Sequence, residues 1–74
     1  MQTGIVDWFD AKKGFGYILL EDKRSVFVHY SSITGNGYKM LSSGDKVSFD
    51  VYENAKGLEA KNVTKLWSIY IALK

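Results

Sequence analysis

The chain has no cysteine and a single histidine among its 74 residues. Disulfides and cysteine-bound zinc are therefore excluded, and so is a metal site built from several histidines. Because no run of 18 or more apolar residues is present, no transmembrane helix is predicted. The first residues, Met1 to Ile5, lack the basic and apolar regions of a signal peptide. Together these absences predict a cytoplasmic protein.

The chain also has little net charge. Ten basic residues stand against eight acidic ones, for a net charge of +2. That excess is too small to indicate nucleic-acid binding by itself. No nucleophile–base pair, carboxylate dyad or cluster of metal ligands can be assembled from these residues with any specificity. The composition therefore predicts a protein that is not an enzyme and that holds no metal or cofactor.

Aromatic residues, in contrast, are abundant: two Trp, five Tyr and four Phe. A domain of this size can bury only some of them. Alternating apolar patterns recur at short spacing between polar turns, and they predict strands over about residues 4–9, 14–21, 25–30, 45–53 and 58–66. Five short strands without a long helix predict an all-β, closed or nearly closed barrel, because closure removes exposed sheet edges.

Successive side chains of a strand point to opposite faces, so alternation separates core from surface. It assigns mainly aliphatic residues to the core: Val6, Ile18, Leu20, Val26, Val28, Val47, Phe49, Val51 and Val63. It assigns to the outer surface Phe15, Tyr17, Phe27, His29, Ser48, Asp50 and Tyr52. In a different sheet arrangement Phe15, Tyr17 and Phe27 could be core residues, but the valines and Ile18 already fill the interior. Rings on an exposed sheet cost free energy unless something covers them.

Two motifs carry these rings, Lys13-Gly14-Phe15-Gly16-Tyr17-Ile18 and Val26-Phe27-Val28-His29-Tyr30. The first resembles half of the RNP1 pattern, which alone is weak evidence. Further landmarks at matching spacing include Trp8-Phe9, Gly37-Tyr38-Lys39 and Asn62-Val63. With them, residues 1–65 resemble the cold-shock domain family, a subgroup of OB-folds. The resemblance implies a five-stranded antiparallel barrel that binds single-stranded RNA or DNA with little sequence specificity, as RNA chaperones do.

By motif match, the resemblance implies eleven binding residues: Trp8, Phe9, Lys13, Phe15, Tyr17, Phe27, His29, Tyr30, Tyr38, Lys39 and Lys56. The rings would stack bases, Phe9 would belong partly to the core, and the lysines would contact phosphates. About six or seven nucleotides would bind per domain, with pyrimidine-rich strands modestly favoured. The implied partners are therefore single-stranded RNA and DNA, and neither a membrane nor a cofactor is implied.

Three acidic residues depart from the family pattern, which usually has Lys at Asp7, Asn at Asp10 and Gln at Glu59. Negative charge near the site predicts weaker phosphate binding, and an ionised Glu59 accepts hydrogen bonds but cannot donate them. These departures keep a second hypothesis open. The barrel could instead be a protein-interaction or dimerising module that has lost most nucleic-acid binding.

The cold-shock domain is predicted to span residues 1–66, followed by an apolar extension over 67–74. As a strand, the extension would align Trp67, Ile69, Ile71 and Leu73, whereas a helix would align Leu66, Ile69, Tyr70 and Leu73. Its β-branched and aromatic content favours a strand, although a cloning remnant stays a possible origin. Both a monomer and a homodimer are compatible with this sequence, the extension being the candidate dimer contact.

Overall fold

The computed structural model describes residues 1–34 and 40–67, and within them it contains five strands and one short 3₁₀ helix. The strands are β1 (Gln2–Asp10), β2 (Phe15–Leu19), β3 (Ser25–His29), β4 (Lys46–Asn54) and β5 (Gly57–Trp67), and the 3₁₀ helix is Tyr30–Ser32. No helix within the described ranges has the length and apolarity needed to span a membrane. The same ranges contain no group of three acidic or histidine side chains able to hold a metal ion.

The strands form a closed barrel in the order β1-β2-β3-β5-β4, with β4 pairing back to β1. Neighbouring strands are antiparallel except β3 and β5, which are parallel and meet where Phe27 lies opposite Glu59. The predicted all-β, five-stranded barrel is therefore confirmed. The parallel contact matters for function because it brings Phe27, in the middle of β3, beside the hairpin that joins β4 and β5.

The core contains mostly the side chains that alternation placed inside. The fully buried side chains of Val6, Ile18, Val26, Val28, Val47, Phe49 and Val63 fill the barrel, while Val51 packs against them only partly buried. The prediction that Ser48 faces water was wrong, because its residue is only 7 % exposed. Val47 and Phe49 on either side of it both lie in the core, so alternation holds in β4. Ser48 is paired with Thr3 of β1 and Thr64 of β5, and these neighbours on both sides cover its short side chain.

A pairing irregularity lies in β1. Val6 pairs with Ile18 and Trp8 pairs with Tyr17, so the register shifts at Asp7. In a regular strand Val6 and Trp8 would share a face. The additional residue reverses the alternation: Val6 is 1 % exposed in the core, and Trp8 is 42 % exposed on the outer surface. This bulge decides where Trp8 lies.

The predicted third strand ends one residue early, because Tyr30 begins the 3₁₀ helix. The Ser31 backbone N–H donates to Nδ1 of His29, and Ile33 N–H donates to the Tyr30 carbonyl at 3.1 Å. These bonds turn the chain immediately after His29. At the other end of the domain β5 reaches Trp67, the first residue of the predicted extension, and residues 68–74 lie outside the described residues.

Candidate functional site

The strand register gathers one set of rings on the outside of the barrel. Trp8 lies opposite Tyr17, Tyr17 opposite Phe27, and Phe15 opposite His29. Directly paired residues point to the same side of a sheet, so these side chains share the outer surface of β1, β2 and β3. We call this surface the aromatic face; it comprises Trp8, Phe15, Tyr17, Phe27, His29 and Tyr30.

Four rings of the aromatic face, those of Trp8, Phe15, Tyr17 and Phe27, contact one another in a continuous chain. The Trp8 centroid lies 5.5 Å from that of Tyr17 and 6.0 Å from that of Phe15. The Phe27 centroid lies 5.8 Å from Tyr17 and 5.9 Å from Phe15. Tilted and edge-to-face arrangements at these separations stabilise aromatic pairs. Each ring is therefore held by its neighbours while part of it stays exposed.

The two glycines of the first motif make this arrangement possible. Gly16 passes so close to β1 that an added Cβ would lie 2.2 Å from the Trp8 carbonyl oxygen. Gly14 has φ +80, and an added Cβ there would lie 2.8 Å from Cδ1 of Tyr30. Tyr30 N–H also donates to the Gly14 carbonyl at 2.8 Å. The alternating Gly-aromatic pattern thus reflects close backbone packing beneath the rings.

His29 is oriented by the turn that follows it. Its Nδ1 accepts from the Ser31 backbone N–H at 3.2 Å and lies 2.8 Å from the Ser31 hydroxyl. The ring lies 4.6 Å from Tyr30 between centroids. With Nδ1 acting as acceptor, the neutral imidazole carries its proton on Nε2. His29 can therefore offer a stacking surface and an N–H donor together.

Lysines and one structural carboxylate lie at the turn between β1 and β2. Lys12 and Lys13 are exposed, and their backbone N–H groups donate to Oδ1 of Asp10 at 2.9 and 3.1 Å. Asp10 therefore organises the turn as well as adding negative charge beside the aromatic face. Asp7 is exposed in the bulge, where its backbone carbonyl accepts from the Ser43 hydroxyl at 2.7 Å.

A groove of about 420 Å³ continues the outer surface beyond Phe27 toward the β4–β5 hairpin. Its lining combines two rings with polar and apolar side chains: Tyr17, Ser25, Phe27, Asn54, Lys56, Gly57, Leu58 and Glu59. Sequence reasoning missed four lining residues: Ser25, Asn54, Gly57 and Leu58. Ser25 lies two residues before Phe27 on β3 and shares its face, so the period-two rule could have found it. The other residues lie beside Phe27 only because the barrel closes.

Glu59 is held in place within this groove. Lys61 Nζ lies 3.0 Å from its Oε2, and Asn54 donates to its Oε1 at 3.0 Å. The hydrogen bond and charge of Lys61, together with the hydrogen bond from Asn54, outweigh partial desolvation and lower the pKa of Glu59 below its ordinary value. The groove therefore presents an ionised carboxylate at neutral pH.

The predicted binding residues separate into groups in the structure. The six residues of the aromatic face lie together, and Lys13 borders them at the β1–β2 turn. Phe9 is half-buried and packs against the core. Lys56 is exposed at the groove. Tyr38 and Lys39 lie outside the described residues.

A family model described as "'Cold-shock' DNA-binding domain" matches residues 2–66 of the chain. The chain belongs to the cold-shock domain family. This cold-shock domain is 53 % identical over 64 residues to the cold shock-like protein CspE of Bacillus anthracis, covering 86 % of this chain and 96 % of that protein. It is 52 % identical over 67 residues to the major cold shock protein of Micrococcus luteus, covering 89 % and 100 % respectively.

A solved chain described as "drosophila Unr CSD456" superimposes on this cold-shock domain with a TM-score of 0.73. The match covers 92 % of this chain and 27 % of the other, at 20 % sequence identity, so it concerns the fold alone. The predicted OB-fold barrel is confirmed, as is membership of the cold-shock family. Nucleic-acid binding of the cold-shock type follows from that membership.

Proposed function

We propose that this cold-shock domain binds single-stranded RNA and DNA by stacking bases on the aromatic face, and that it acts as an RNA chaperone. The observation that carries the proposal is the continuous chain of ring contacts from Trp8 through Tyr17 and Phe27 to Phe15. A separate set of aliphatic side chains and Phe49 fills the core, so the barrel does not need those four rings in its interior. Rings held on the outer surface suit a ligand with flat apolar faces.

Stacking on such a surface favours unpaired strands, because the bases of a double helix are already stacked. It contributes about 1–3 kcal/mol per base and depends little on base identity. In this mechanism the modest preference for pyrimidine-rich strands comes from stacking strength and backbone flexibility. Weak, sequence-tolerant binding of this kind is what a chaperone requires, since it must release the RNA after opening a structure.

Charge has a secondary role in the proposed mechanism. Lys12 and Lys13 at the β1–β2 turn, and Lys56 at the groove, are exposed and can approach phosphates. Asp7 and Asp10 place negative charge beside the same turn. These carboxylates reduce the electrostatic contribution, so stacking supplies a larger share of the affinity.

The second candidate function is a protein-interaction or dimerising barrel. Its support is two exposed apolar side chains outside the aromatic face, Ile5 at 37 % and Leu66 at 51 % exposure. Leu66 directly precedes the predicted extension. This hypothesis predicts a homodimer with little affinity for oligonucleotides, whereas the first is compatible with either a monomer or a dimer.

The experiment is a titration with a thymidine hexamer at low salt, monitored by the fluorescence of Trp8 in a Trp67→Phe variant. Stacking on Trp8 is expected to quench the emission in a saturable way, more weakly as salt rises, and little with a duplex of matched length. A flat signal, together with a dimeric mass, would overturn the proposal in favour of the second candidate. Chaperone action is tested by the rate at which the domain opens a fluorescently labelled RNA hairpin.

A further inference from the structure

The groove beside Phe27 is lined by one carboxylate, that of Glu59. Phe27 and Glu59 lie directly opposite each other across the parallel β3–β5 contact, and both line the groove. Tyr17, in register with Phe27, provides a second ring on the same wall. A base that stacks on these rings and reaches toward the hairpin therefore meets Glu59.

The Glu59 carboxylate is both oriented and still able to accept hydrogen bonds. Asn54 and Lys61 each occupy one oxygen at 3.0 Å, and the side chain is 26 % exposed. Two carboxylate oxygens offer about four acceptor positions, so each oxygen keeps one for a ligand. Ionised and acceptor-only, the group favours N–H donors and repels carbonyl oxygens.

The bases differ sharply in what they offer to such a group. Guanine presents two adjacent N–H donors, N1–H and the 2-amino group, which a carboxylate can accept in a bidentate manner. Thymine and uracil present one N–H donor flanked by two carbonyl oxygens. Cytosine and adenine present an amino group beside a ring-nitrogen acceptor, so they lie between these extremes.

We infer that Glu59 makes the groove a base-selective subsite that prefers guanine and rejects thymine and uracil. This inference rests on the proposed stacking of bases on the aromatic face. Under this inference, the groove selects among bases, whereas the rest of the aromatic face tolerates any base. A good bidentate contact discriminates by about 5- to 150-fold. We expect a value near tenfold, because water partly reaches the groove.

The test uses the full chain and six thymidine hexamers, each with guanine at a different single position, compared with the all-thymidine strand by fluorescence anisotropy. One position is expected to bind about tenfold more tightly. Replacing that guanine by hypoxanthine, which lacks the 2-amino group, should remove most of the gain. Glu59→Gln should abolish the preference and strengthen binding of the all-thymidine strand, since a glutamine amide can donate to carbonyl oxygens.

Glu53→Gln is the matched control. Glu53 is exposed on β4 opposite Leu58, so this change removes the same charge close to, but outside, the groove lining. It should retain the guanine preference. A preference that survives in Glu59→Gln, or a guanine series that is flat while the all-thymidine strand binds, would overturn the inference and leave the proposed function intact. Absence of binding to every strand would overturn both.

Discussion

Replacing Phe27 by Ala removes the central ring of the aromatic face. Its centroid lies within 6 Å of those of Phe15 and Tyr17, so a base stacked there also touches the neighbouring rings. Loss of one stacking position costs about 1–3 kcal/mol, or about 5- to 150-fold in Kd. We expect the upper part of that range, because Phe15 and Tyr17 also lose lateral support.

The salt dependence of binding separates stacking from charge. Phe27→Ala should weaken binding of a thymidine hexamer without changing the slope of log Kd against log salt concentration. Lys13→Ala should cost less affinity but should reduce the slope by about 0.7, the value for one phosphate contact on a single strand. Both quantities come from anisotropy titrations at four or more salt concentrations.

Stability must be measured alongside affinity, because the ring pairs also support the fold. Losing two aromatic pairs costs about 1–3 kcal/mol of unfolding free energy. The titrations are therefore run at low temperature, with the folded fraction checked by circular dichroism. Ile5→Ala is the control, since it deletes a 37 % exposed apolar side chain of β1 that lies outside the aromatic face and the groove lining, and it should leave Kd close to that of the wild type. Equal losses for Phe27→Ala and Lys13→Ala, both with reduced salt slopes, would refute a stacking-dominated site.

Three further changes test the neighbouring structure. Gly16→Ala forces its Cβ against the Trp8 carbonyl oxygen, so urea unfolding should show a loss of at least about 2 kcal/mol; unchanged stability would contradict the close strand contact. Asp10→Asn and Asp10→Ala should strengthen oligonucleotide binding equally, but only the alanine variant, which loses both turn hydrogen bonds, should lose about 1 kcal/mol of stability. Lys61 lowers the pKa of Glu59, so the ionised Glu59 carboxylate stabilises the fold at pH values above its ordinary pKa of 4.5. This stabilisation is lost as the pH falls through the lowered pKa. The difference in unfolding free energy between wild type and Glu59→Gln should therefore diminish over that acidic range, and a constant difference would argue against the ion pair.

Much of the fold and of the site follows from local pattern. The alternation in β2 and β3 places Ile18, Val26 and Val28 inside and Tyr17 and Phe27 outside, as the structure shows. Side chains on adjacent residues of a strand point in opposite directions, so a few residues contain this information. The family resemblance extended the site to Trp8 and Tyr30, which alternation alone did not assign.

Other features required the complete barrel. The bulge at Asp7 sends Trp8 outward although Val6, two residues earlier, points inward. Ser48 is buried between its partners Thr3 of β1 and Thr64 of β5, although alternation places it on the outer side of β4. Both depend on how a strand pairs with its neighbours, which alternation within one strand does not encode.

The sequence by itself determined the barrel class and the rings of β2 and β3, because those depend on a two-residue period in the local chain. Only the tertiary structure decided that Phe27 lies opposite Glu59, 32 positions further along the sequence. The parallel closure of β3 on β5 is a long-range contact between strands that are not consecutive in the chain. It places the ionised Glu59 carboxylate beside the Phe27 ring, and the proposed guanine preference depends on that pairing.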